Sequence, residues 1–72
     1  MKYLIVIEKA KTGFSAYSPD LPGCVAAART RAAAQKLMRG AIEFHLKGLR
    51  AEGQRVPAAH ATSAYVEIPA RD

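Results

Sequence analysis

The sequence predicts an α+β domain. It combines a three- to four-stranded, mainly antiparallel sheet with one long helix on one face, in the order β-β-β-α-β. Three observations lead there. Short runs of aromatic and β-branched residues lie near both ends of the chain. Apolar residues recur at helical spacing between Arg31 and Glu52. The stretch "AYSPDLPGC", residues 16–24, sets two prolines and a glycine between strand-like segments. At 72 residues the chain has room for one domain, residues 1–72.

Residues 2–9, "KYLIVIEK", form the first predicted strand, because Tyr3 to Ile7 are aromatic or mostly β-branched. "KTG" at 11–13 supplies a turn in which Gly13 can take positive φ. Residues 14–18, "FSAYS", alternate Phe14, Ala16 and Ser18 against Ser15 and Tyr17, as a second strand requires. Next comes the corner of Pro19, Asp20, Leu21, Pro22, Gly23 and Cys24. Its prolines fix φ near −65° and push Ser18 and Leu21 towards extended conformations, while Gly23 permits a reversal. Leu21 is placed to reach back to the core. "CVAAA" at 24–28 is the third strand.

Thr30 is a good N-cap for a helix running from Arg31 to Glu52, with Gly53 as its C′ residue. Ala34, Leu37, Met38, Ala41, Ile42, His45 and Leu49 share its apolar face. Lys36, Arg39, Glu43, Lys47 and Arg50 share the opposite face, where Glu43 and Lys47 stand at ion-pair spacing. Residues 54–61 connect this helix to a last strand, "TSAYVEI" at 62–68, which Pro69 ends.

So small a chain buries a thin core and needs a staple. Cys24 is the only cysteine, so no internal disulfide forms, and neither His45 nor His60 stands at metal-ligand spacing from it. A homo-oligomer, dimer or tetramer, is the remaining support. The first strand agrees, being apolar on both faces: one helix covers one of them, and the other must meet a loop or another chain. Tyr3, Ile5, Phe14 and Tyr17 are the candidate partner-binding residues. No apolar run is long enough for a signal peptide or a membrane span, so a cytoplasmic protein without membrane contact is expected.

Eleven Lys and Arg against six Asp and Glu give a net charge of +5, dispersed from Lys2 to Arg71 without a dense cluster. Lys36, Arg39, Lys47 and Arg50 are the candidate nucleic-acid face, though Glu43 lies among them and lowers its potential. No catalytic constellation is present. Thr12, Ser15, Ser18 and Cys24 lack a local base to activate them. His45 sits within the apolar stripe as a packed histidine, and His60 lies in a loop. Asp20 suits an Asx-type turn that accepts backbone amides, and Cys24 suits a small core position. With no phosphate-binding glycine motif either, the expectation is a non-enzyme with no cofactor and no metal.

"GFSAYSPDLPGCVAAARTRAAAQKLMRGAIEFHLKGLRAEGQRVP" resembles the N-terminal domain of HicB-type antitoxins and their stand-alone relatives. The shared features are an aromatic-bearing strand, the P-D-L-P-G-C corner, a Thr-capped helix and a G-x-x-V/I-P exit. The resemblance implies a partial ribonuclease-H-like fold without a nuclease site. It also implies a role in a toxin–antitoxin pair, in which the antitoxin covers the RNA-cleaving surface of a small ribonuclease, HicA. Longer relatives add a C-terminal DNA-binding segment; this chain stops at Asp72, so operator binding by the chain itself is not expected. The alternatives are a stand-alone nucleic-acid-binding module and a homo-oligomeric accessory protein.

Overall fold

Gly13 makes the first reversal. In the computed structural model, which describes residues 1–70, its φ is +93° and its carbonyl accepts from the Ala10 amide at 2.9 Å. The strands it joins are β1 (Val6–Lys9) and β2 (Phe14–Tyr17), antiparallel with Lys9 opposite Phe14 and Val6 opposite Tyr17. β3 (Val25–Ala28) pairs antiparallel with the far side of β2, giving the order β1-β2-β3. A single helix, α1 (Arg31–Ala51), follows. The α+β class is as the sequence predicts.

β1 starts four residues later than the pattern at Lys2 suggests, and the corner explains why. Extending the ladder would set Leu4 opposite Pro19, which has no amide to donate. The Ser18 hydroxyl instead donates to the Leu4 carbonyl at 2.9 Å, and regular pairing ends there. The corner itself is two successive turns. Leu21 N donates to Ser18 O and Cys24 N to Leu21 O, each at 3.1 Å. In the second turn Pro22 precedes Gly23 at φ +83°, the arrangement of a type II turn. Leu21, between the turns, is fully buried, as the sequence predicts.

α1 is capped at both ends as its sequence suggests. The Thr30 hydroxyl accepts from the Ala33 amide at 3.0 Å. At the other end Gly53, at φ +72°, donates to Arg50 O and Gln54 donates to Leu49 O, the paired bonds of a Schellman motif. No acidic residue stands in the first turn, so Thr30 caps without help from a neighbouring carboxylate. Thr30→Ala is expected to cost about 1 kcal/mol, lowering the melting temperature by roughly 4–8 °C in a domain of this size. Thermal unfolding followed by circular dichroism checks it.

The helix packs chiefly on β3 and β2 and less on β1. Ala34, Met38 and Leu46 are buried against Ala16, Leu21 and Cys24, with Ile5, Ile7, Phe14, Ile42 and Leu49 packed around them. Leu37 departs from the predicted stripe: it is 53% exposed, and Leu46 is buried in its stead. Three short strands with alanine-rich partners cover only a narrow arc of the helix, and Leu37 falls outside it. Glu43 pairs back with Arg39, Nε to Oε2 at 4.0 Å, rather than forward with Lys47, and both partners are exposed.

The predicted strand at 62–68 is not part of the sheet. Residues 54–70 carry no regular secondary structure, and the helix is followed instead by an extended arm. Its first half is anchored: the Tyr3 hydroxyl donates to the Pro57 carbonyl, and Asp20 Oδ2 accepts from His60 N at 3.1 Å and Ala61 N at 3.0 Å. Beyond Ala61 the arm joins no ladder of the sheet, and the longest dimension of the chain is 55 Å. Strand propensity at 62–68 does not by itself supply a ladder partner.

Cys24 is buried at the start of β3, and burial pushes its thiol above the ordinary value of 9.0. The folded state therefore holds this proton more tightly than the unfolded chain does. The resulting stability is complete below the unfolded pKa and is lost as pH rises through the higher folded value. Native Cys24 is expected to resist a thiol-alkylating reagent at pH 8 until the chain unfolds. Labelling at the native rate of an exposed thiol would contradict its burial.

Candidate functional site

Strand pairing assigns every side chain of the sheet to a face, because residues opposite one another point the same way and neighbours alternate. Ile7, Phe14, Ala16, Ala26 and Ala28 face the helix. Val6, Ser15, Tyr17, Val25 and Ala27 fall on the other face, which no helix or strand among the described residues covers. The apolar members cluster at one end, where Val6 is opposite Tyr17 and Tyr17 opposite Val25. Val25 is 66% exposed, Tyr17 is exposed as well, and Val6 is half-buried. The corner 19–24 joins the strands at this end, so two turns and a buried Leu21 hold the patch in place.

Tyr3, Ile5, Phe14 and Tyr17 therefore do not share one surface. Phe14 and Ile5 pack towards the helix, Tyr3 lies half-buried with its hydroxyl on Pro57, and Tyr17 alone lies on the open face. Val6 and Val25, its cross-strand neighbours, complete the patch. Alternation within a strand is visible in sequence, but that Val25 would sit beside Tyr17 depends on register, which the sequence left open.

Tyr3 and Ile5 serve a second feature, the outer edge of the sheet. Because α1 leans away from β1, a groove of 490 Å³ opens between the N-terminal segment and the helix. Tyr3, Ile5, Ile42 and Leu46 are among its apolar lining, with Arg39, Glu43 and Arg50 also around it. A second groove of 440 Å³ lies along the same edge between Leu4–Ile7 and Ser63–Tyr65 of the arm, and Arg31 and Gln35 also line it. Ile5 and Gln35 belong to both.

Asp20 does more than shape the corner. As the sequence suggests, its carboxylate accepts backbone amides, but they come from His60 and Ala61, some forty residues away. It thus clips the arm to the corner. Asp20→Ala is expected to abolish slow hydrogen exchange at the His60 and Ala61 amides and to cost roughly 1–2 kcal/mol. Unchanged exchange at both amides would rule out the clip.

The remaining residues singled out in sequence stay apart. Lys36, Arg39, Lys47 and Arg50 are exposed along one side of α1, with Glu43 bound to Arg39 in their midst. His45 is half-buried on the helix, and His60 is exposed with only its backbone amide engaged by Asp20. Among the described residues no three His, Cys, Asp or Glu side chains gather as a metal site, and no helix is long and apolar enough to cross a membrane. Arg71 lies outside the described residues. Two exposed helix residues were not singled out in sequence, Phe44 and, as an exposed residue, Leu37.

Comparison with known proteins adds two findings. The model of a family described as the HicB-like antitoxin of a bacterial toxin–antitoxin system matches residues 3–71. A protein of Haemophilus phage HP1 (strain HP1c1), described as an uncharacterized 14.9 kDa protein in the rep-hol intergenic region, is 33% identical over 69 residues. That similarity covers 96% of this chain and 52% of the phage protein, so the chain spans about half the length of its relative.

Proposed function

The chain belongs to the HicB-like antitoxin family of bacterial toxin–antitoxin systems, and from that premise we propose that it is a non-catalytic protein-binding module. Its partner is a small ribonuclease toxin of the HicA type, and binding covers the toxin's RNA-cleaving surface. The observation that carries this reading is the open face of the sheet, where Val6, Tyr17 and Val25 stand together with no helix or strand of the described residues over them. An aromatic side chain flanked by β-branched residues makes a suitable binding anchor, because it buries much area at little entropic cost. The corner 19–24 fixes that anchor in advance, so little ordering remains to be done on binding.

Tyr3 and Ile5 contribute through the edge beside the patch, and Phe14 supports the sheet from below. The basic side of α1 serves solubility. Glu43, bound to Arg39, lowers the potential that a nucleic-acid surface would need. The site of action is the cytoplasm, where a toxin that cleaves RNA finds its substrate.

The test is co-purification of the tagged chain with a HicA-type toxin encoded beside its gene. The wild-type chain is expected to retain the toxin. Tyr17→Arg and Val25→Arg, both at exposed positions, are expected to release it while the circular dichroism spectrum stays unchanged. Retention by the doubly substituted, folded chain would remove the open face from the interface.

A further inference from the structure

The anchored arm and the free sheet edge each lack what the other offers. We propose that residues 62–68 of one copy add as a strand to the β1 edge of a second copy, and that the exchange is reciprocal. β1 is an outer strand of the sheet, and no strand among the described residues lies on its far side. Such an edge presents unpaired amides and carbonyls to any extended segment that reaches it. The segment "TSAYVEI" has strand-forming residues in an extended, unladdered course. Tyr65 is 105% exposed, and Val66 and Ile68 are exposed too. In the lone chain none of these three apolar side chains is buried.

The arm is poised rather than loose. Asp20 holds His60 and Ala61, and Tyr3 holds Pro57, so its direction is set before any partner arrives. It then projects outward: the radius of gyration is 14.7 Å, against about 11 Å for a compact chain of this length. Pro57 meets Tyr3, and the later residues Ser63–Tyr65 line the 440 Å³ slot with Leu4–Ile7, an order in which the arm follows the N-terminal segment in the same direction.

A second copy suits that slot in two ways. A two-fold axis perpendicular to the strands reverses the incoming arm, which then runs antiparallel to β1 like every other pair in the sheet. The charges also match. Arg31 is the charged residue lining the slot, and Glu67 is the charged residue of the segment. One copy offers one edge and one arm, so a two-fold dimer satisfies both and closes. The exchange takes the edge beside Ile5 and leaves the open face with Tyr17 and Val25 free for the toxin.

Solution mass and hydrogen exchange on the full chain test it. Wild type is expected at twice the 7.7 kDa monomer, with protection of the 64–68 amides that rises with protein concentration. Val66→Pro removes a ladder donor at an exposed position and is expected to halve the mass while the helical signal stays unchanged. Glu67→Arg is expected to weaken the dimer, and Arg31→Glu combined with it to restore the dimer. A monomeric wild type overturns the proposal, whether the arm is unprotected or protected independently of concentration by its own edge. A dimer that survives folded Val66→Pro overturns it as well and would point to the exposed Leu37 and Phe44 of the helix.

Discussion

Met38→Ala is expected to remove a large part of the domain's stability. Met38 is fully buried at the middle of α1, in the cluster of Ala16, Leu21, Cys24, Ala34 and Leu46. Truncating a buried methionine costs about 2–5 kcal/mol through lost transfer energy and the cavity left behind. A chain of this length has only roughly 4–11 kcal/mol of total stability. Half of that cluster is alanine or cysteine, whose short side chains cannot move in to fill the space. Urea unfolding of the two proteins side by side measures the loss. A midpoint unchanged within error would mean that the helix is held by something other than this cluster.

Gly13→Ala is the second large loss, and it acts through the backbone. At φ +93° a side chain is strained by about 1–3 kcal/mol. Beyond that, a β-carbon at this position would stand 2.4 Å from the Ala28 carbonyl oxygen. That oxygen belongs to the end of β3 opposite Phe14, so the β2–β3 ladder must shift to relieve the contact. Gly23 provides the internal control, since its φ of +83° is similar but nothing lies within 4 Å of the added carbon. Gly23→Ala is expected to cost only the conformational strain. Equal losses at the two positions would contradict the close approach at Gly13.

Much of this architecture is visible in the residues because its determinants are local. Thr30 and Gly53 bound the helix, Pro22-Gly23 makes a type II turn, and Gly13 makes the hairpin. Each acts within a few positions of itself. What depends on distant partners is less legible. Asp20 looks like a turn former and is one end of a clip to His60 and Ala61. Leu37 has helical spacing for the core, but the width of a three-stranded sheet decides that it stays outside. Tyr3, Ile5, Phe14 and Tyr17 look alike as apolar strand residues, and only the register separates Tyr17 from the rest. The segment 62–68 shows the limit most plainly: the sequence states a preference for extended structure without saying which edge will receive it.

The most direct test of the antitoxin assignment is RNA cleavage by a HicA-type ribonuclease encoded beside this gene, measured as the purified chain is titrated in. Cleavage is predicted to fall to background near equimolar chain and to persist when the Tyr17→Arg, Val25→Arg chain is used instead. Undiminished cleavage in the presence of excess folded wild-type chain would contradict the assignment.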